Sequence, residues 1–217
     1  MGTGKTGIGE ASNRIGTTAR NGAAKKNMGQ SREIALFGGS FNPLHMGHVY
    51  VMAHVLATEP VDELWLVPAH THAFAKSLAP YDIRLRMCEE ACRLFSRRVR
   101  VSTAERDIAR ADRPSFTIDT LSHLQEQCSD VRFGLVIGSD ILATFGKWKE
   151  SARIRKLARL IVIHRAGHPV EDAGPPLPDV SSTWIRQRLR RKESLHGWVP
   201  KEVARMCEET SESFNQS

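Results

Sequence analysis

This chain is poor in cysteine and aromatic residues, and it contains no long apolar run. Its four cysteines, Cys88, Cys92, Cys128 and Cys207, are too few and too scattered for a disulfide scaffold. A reducing cytoplasm is therefore the expected compartment. No stretch approaches the ~18 consecutive apolar residues of a membrane-spanning helix, and the N-terminal segment lacks the apolar centre of a secretory signal. No membrane partner is expected. Broad positive charge on the folded part is also missing. The net charge is +7, but residues 1–32 carry +5 of it and residues 33–217 only +2. A nearly neutral domain lacks the basic footprint of a nucleic-acid binder, so no nucleic-acid partner is expected.

What is present fits one globular domain. The 217 residues suffice for a real core, and the 41% apolar and 25% charged content is that of a folded chain. Residues 1–32 are rich in Gly, Ala, Thr, Ser and Asn, with no aromatic residue and no apolar period. They read as a disordered basic N-terminal extension, followed by a domain over 33–217. Gly4-Lys5-Thr6 resembles the end of a Walker loop, but the required strand and earlier glycine do not stand before it.

From Glu33 onward, short apolar runs alternate with helical periods. Strands are predicted at Ile34–Phe37, Glu63–Val67, Val99–Ser102, Arg132–Ile137 and Leu160–Ile163. Helical stripes run through Val49, Met52, Ala53 and Leu56, through Ile83, Met87, Ala91 and Phe95, and through Ile118, Leu121 and Leu124. Ser115 and Thr117 are the capping candidates of the third. Such alternation implies an α/β fold, a parallel sheet covered on both faces, with ligands beyond the carboxyl ends of its strands. Cys88 and Cys92 sit beside the second stripe and read as core packing. A helix is predicted to start at Trp198-Val199-Pro200, and Thr210–Ser217 is expected to fray.

The first strand runs directly into Gly38-Gly39-Ser40-Phe41-Asn42-Pro43-Leu44-His45-Met46-Gly47-His48 and then a helix. Two glycines allow a tight turn and close ligand approach. His45 and His48 stand three apart at the helix start, where free amides and the helix dipole favour an anion. The pattern suits phosphate oxygens. It lacks the Gly-x-Gly-x-x-Gly spacing of a dehydrogenase turn. Downstream, Ser181-Ser182-Thr183 with Arg186 one turn later forms a second candidate phosphate site. His70-x-His72 has no third ligand in view, so no protein metal site is expected.

These residues resemble the nucleotidyltransferase superfamily marked by (His/Thr)-x-Gly-His, and Val180–Arg186 is similar to its Ile-Ser-Ser-Thr-x-Ile-Arg signature. Ser115-Phe116-Thr117-Ile118-Asp119-Thr120-Leu121, Ile137-Gly138-Ser139-Asp140, Trp148 and Arg165-Ala166-Gly167 resemble stretches of the nicotinate-nucleotide adenylyltransferases, in that family's order. The resemblance implies a Rossmann-like, doubly wound parallel sheet of about five strands with helices on both faces. It implies transfer of AMP from ATP to a pyridine mononucleotide, with Mg2+ arriving on ATP. His45, His48 and Arg186 would be catalytic. Gly38, Gly39, Ser40, Phe41, Lys76, Gly138, Asp140, Ser182 and Thr183 would bind nucleotide, and Thr117, Trp148 and Arg165 the acceptor. The family's Pro-Pro-His-Lys element is replaced here by Pro68-Ala69-His70-Thr71-His72-Ala73-Phe74-Ala75-Lys76. Nicotinate mononucleotide, nicotinamide mononucleotide and another phosphorylated acceptor remain open at this point, as does the oligomeric state.

Overall fold

Alternation decides the first strand. In Arg32–Gly39 (β1), Ile34 and Leu36 enter one apolar cluster while Ala35 and Phe37 enter another, as in a strand covered on both faces. The computed structural model describes residues 1–2, 31–70, 78–110, 114–171 and 174–215. The extension expected over 1–32 thus lies outside the described residues, except at its ends. Residues Ser31–Ser217 form one compact unit.

After β1 come Met46–Thr58 (α1), Glu63–Pro68 (β2), Tyr81–Cys92 (α2), Val99–Val101 (β3), Ala104–Asp107 (α3) and Thr117–Gln127 (α4). Then follow Val131–Gly138 (β4), Ser139–Leu142 (α5), a 3-10 turn at Phe145–Lys147, Ser151–Leu157 (α6) and Ala158–Ile163 (β5). Ser182–Arg190 (α7), Lys201–Glu209 (α8) and Ser211–Asn215 (α9) close the chain. All five predicted strands form, in one parallel sheet of order β3-β2-β1-β4-β5. Leu36 of β1 stands opposite Trp65 of β2 and Leu135 of β4. The strand order reverses between β1 and β4, so a crevice opens beyond their carboxyl ends, at Gly38–Gly39 and Gly138.

Each face has its own core. On one side Met52, Val55, Met87, Ala91, Ile185, Val203 and Met206 pack onto Ala35, Leu64, Leu66, Ile161 and Ile163. On the other, Ile118, Leu121, Leu124 and Ile154 pack onto Ile34, Leu36, Phe133 and Leu135. Cys88 and Cys207 are buried, and burial pushes the Cys92 and Cys207 thiols up to about 12. They pack as small apolar groups.

Some local expectations shift. β1 opens at Arg32, whose guanidinium pairs with Glu63, so this cation belongs to the sheet rather than the extension. α1 is apolar on most sides; Gly47, Val51 and Val55 are buried and Ala53 faces solvent. Phe95 lies beyond the end of α2. Neither Ser115 nor Thr117 caps α4: Phe116 is the cap residue, and its amide donates to Asp119 Oδ2 at 3.3 Å. Lys201 begins α8 directly after Pro200, as predicted. The tail does not simply fray, because Phe214 of α9 is fully buried against the first core. Among the described residues no helix is long and apolar enough to cross a membrane.

Candidate active site

The segment leaving β1 is fastened at many points. Phe41 adopts a left-handed φ of 46°, an uncomfortable conformation for a bulky side chain, and its ring is fully buried. Arg84 of α2, only 1% exposed, donates from Nη1 to Ser40 O (2.8 Å), from Nε to Ala79 O (2.9 Å) and from Nη2 to His70 O (3.4 Å). Buried Asn42 accepts at Oδ1 from the Ala79 amide at 3.1 Å. From α7, Arg186 Nη1 donates to Asn42 O (2.7 Å) and Ser182 Oγ to Pro43 O (3.0 Å). The two candidate phosphate motifs, far apart in sequence, are therefore joined through the backbone of one loop by bonds that span 139 and 144 residues.

That loop delivers His45 and His48 to the start of α1. Their rings stack with centroids 3.7 Å apart, and the His45 amide donates to His48 Nδ1 at 3.1 Å. A nitrogen that accepts cannot carry the proton, so neutral His48 is protonated at Nε2. Gly47 makes the stacking possible: a Cβ there would lie 3.0 Å from the His45 ring and 3.2 Å from Val180 O. Burial, and then the nearby Arg165 charge, lower the His45 pKa to about 4. His48 is lowered well below its ordinary value by burial, then His45, then Arg165. Both imidazoles are thus neutral donors at pH 7. Asn42 Nδ2, His45 Nδ1 and Arg186 Nε are buried side-chain atoms without a hydrogen-bond partner.

Two cavities meet where β4 ends. The smaller, about 180 Å³, is lined by Phe37, Gly47, His48, Gly138, Asp140, Ile163 and Arg165, among others. A Cβ at Gly138 would collide with Asp140 Oδ1, so glycine lets the carboxylate fold back over the strand end. The larger, about 360 Å³, holds Gly38, Gly39, Ser40, Glu105, Ser115, Thr117, Thr120 and Trp148. Val136, Ile137 and Ile141 line both.

The candidates therefore divide. His48, Gly138 and Asp140 gather on one side, and Gly38, Gly39, Ser40, Thr117 and Trp148 on the other. Arg165, expected with the acceptor residues, instead stands beside His48 and Asp140, where its Nη2 pairs with Asp179 Oδ1 at 3.1 Å. It stands just past β5, whose last residue, Ile163, lines the same cavity as His48. Arg186 is 4% exposed, and its Nη2 donates to Thr183 Oγ1 at 3.3 Å. Phe41 lines neither cavity and packs edge-on to His48 at 4.9 Å. Lys76 and His72 lie outside the described residues.

Three contributors escaped the sequence reading. Arg84 had a readable signal, a cation on the same helical line as Cys88 and Ala91. Asn42 sat inside the quoted motif without an assigned role. Glu105 had none, since the four-residue helix that carries it is too short to show a period.

Residues 36–188 match the cytidylyltransferase-like family. The chain is 47% identical over 182 residues to a probable nicotinate-nucleotide adenylyltransferase of Anaeromyxobacter dehalogenans, covering 84% of this chain and 97% of that protein. It is 42% identical over 169 residues to a probable enzyme of the same name from Myxococcus xanthus, covering 77% and 87%. In fold it is similar to the Plasmodium falciparum nicotinic acid mononucleotide adenylyltransferase complexed with NaAD, with a TM-score of 0.70 at 18% identity, over 86% of this chain and 98% of that one.

Proposed function

Taking as premise that the chain belongs to the cytidylyltransferase-like family and, within it, to the nicotinate-nucleotide adenylyltransferases, we infer that it transfers AMP from ATP to nicotinate mononucleotide. The products are the deamido dinucleotide and pyrophosphate, a step of NAD biosynthesis. The observation that carries the residue-level reading is the stacked, neutral His45–His48 pair at the start of α1, with His48 on the wall of the smaller of two adjoining cavities.

In this reading the smaller cavity takes adenosine, with the Asp140 carboxylate accepting from ribose hydroxyls and Gly138 giving the close approach. The larger cavity takes the acceptor, with Trp148 against the pyridine ring and the first-turn amide of Thr117 toward the ring carboxylate. A phosphate oxygen of the mononucleotide forms a bond to the α-phosphorus. The bond from that phosphorus to the bridging oxygen breaks, and its electron pair leaves with pyrophosphate. The attacking phosphate is largely a dianion at neutral pH, its second pKa being about 6, so no general base is needed. Catalysis is then alignment and charge stabilisation.

His48 Nε2–H donates to the α-phosphate, and His45 beside it to the chain of phosphates. Arg186, Ser182, Thr183 and Lys76 hold the β and γ phosphates, and Arg165, on the His48 side, is available to the same anion. Magnesium enters as part of the ATP substrate, carried mainly by phosphate oxygens and water. The four cysteines are free, in keeping with a cytoplasmic setting. Mass spectrometry of the products tests the reading. A dinucleotide together with pyrophosphate is expected, whereas ADP or free AMP as the nucleotide product would overturn it.

A further inference from the structure

The larger cavity carries an unexpected charge. Of its lining residues, Glu105 alone is charged; the rest are apolar, hydroxyl-bearing or glycine. This holds among the described residues. Glu105 sits on α3, and both its carboxylate oxygens are engaged. Oε1 accepts from Thr120 Oγ1 at 2.6 Å, and Oε2 accepts from Ser115 Oγ. Thr120 is 5% exposed, so the pair of hydroxyls pins the carboxylate to the cavity wall rather than letting it swing into solvent.

A nicotinate mononucleotide brings an anionic phosphate and an anionic ring carboxylate. Both would be repelled by a carboxylate. Its only positive centre is the ring nitrogen, quaternised by the ribose, which makes the ring a pyridinium. Trp148 on the same cavity offers a π face, which also favours a cation.

We propose that Glu105, held by Ser115 and Thr120, is a specificity-determining residue that selects the positive charge of the acceptor's pyridinium ring. The inference rests on the acceptor assignment above and adds a counter-charge to it. It separates the ring charge, read by Glu105 and Trp148, from the ring's carboxyl or amide substituent, read at Thr117. The carboxylate also ties α3 to the start of α4, and a purely structural role would stop there.

The test uses the full chain and Glu105→Gln, whose amide oxygen accepts from one hydroxyl while its nitrogen takes the other as an acceptor. Expected is a rise of about tenfold in KM for nicotinate mononucleotide, the scale of one partly screened ion pair, with KM for ATP unchanged. In equilibrium binding, the wild-type protein should take 1-methylnicotinamide, a pyridinium cation, in preference to 3-methylbenzamide, its uncharged isostere. Glu105→Gln should lose that preference, and Thr120→Val, which keeps the charge, should retain it. Equal wild-type binding of the two probes overturns the proposal, whatever the variants do. So does an unchanged KM in a folded Glu105→Gln protein, or equal weakening of both probes. If the wild type turned over no pyridine mononucleotide, the acceptor assignment would fail on that assay alone, and the binding pair would still read Glu105.

Discussion

The side chain on which most depends is His48. It is neutral, its proton sits at Nε2 because Nδ1 accepts the His45 amide, and it lines the smaller cavity. Removing one preorganised donor to a developing oxyanion costs about 10²–10³ in turnover, so His48→Ala should lose that much kcat while its circular dichroism spectrum is unchanged. Near-normal turnover would contradict the assigned role. The same burial sets a pH dependence of stability. The His45 pKa falls from an ordinary 6.5 to about 4, so between those values the unfolded chain binds more protons than the folded one. Stability therefore falls as the pH drops through that window and carries no such loss above it. Thermal melts from pH 7 to 4 should show this slope, and His45→Asn should lessen it, leaving the part of the same sign that buried His48 contributes. An equal slope in the variant would place the titration elsewhere. At this scale the sequence was informative where spacing alone brings groups together, as in His45-x-Gly-His48. It was silent where folding does so, as in Arg84 reaching Ser40, or Glu105 reaching Ser115.

At the level of elements, all five strands were legible because each is a short apolar run whose two faces both meet a core. The ends were less so. Ser115 looked like a cap, but its hydroxyl goes to Glu105, and Asp119 satisfies the Phe116 amide instead. Arg165 is grouped with the acceptor residues by motif, yet it follows β5 and lines the cavity of His48 and Asp140. The terminal segment looked polar enough to fray, and its single aromatic decided otherwise. Phe214 is fully buried in the same cluster as Val203 and Met206, so Phe214→Ala should cost about 3–5 kcal/mol in urea unfolding. A change below about 0.5 kcal/mol would return α9 to the status of a loose tail.

For the whole molecule, charge and coverage agree on where the enzyme lies. Residues 1–32 hold most of the excess positive charge, and the Anaeromyxobacter relative is matched over 97% of its length by 84% of this chain. The compact unit starts at Ser31, and β1 takes in Arg32. Deleting Met1–Gln30 should therefore leave kcat within about twofold, since every described strand and every candidate site residue lies after it. A loss above tenfold would assign the extension a part in catalysis. The central claim is the reaction, adenylyl transfer to nicotinate mononucleotide. Its most direct test is pyrophosphate release from ATP and magnesium, measured side by side with nicotinate mononucleotide and nicotinamide mononucleotide as acceptors. The account predicts rapid release with the nicotinate form and a clear preference over the nicotinamide form. Release with neither acceptor would contradict it.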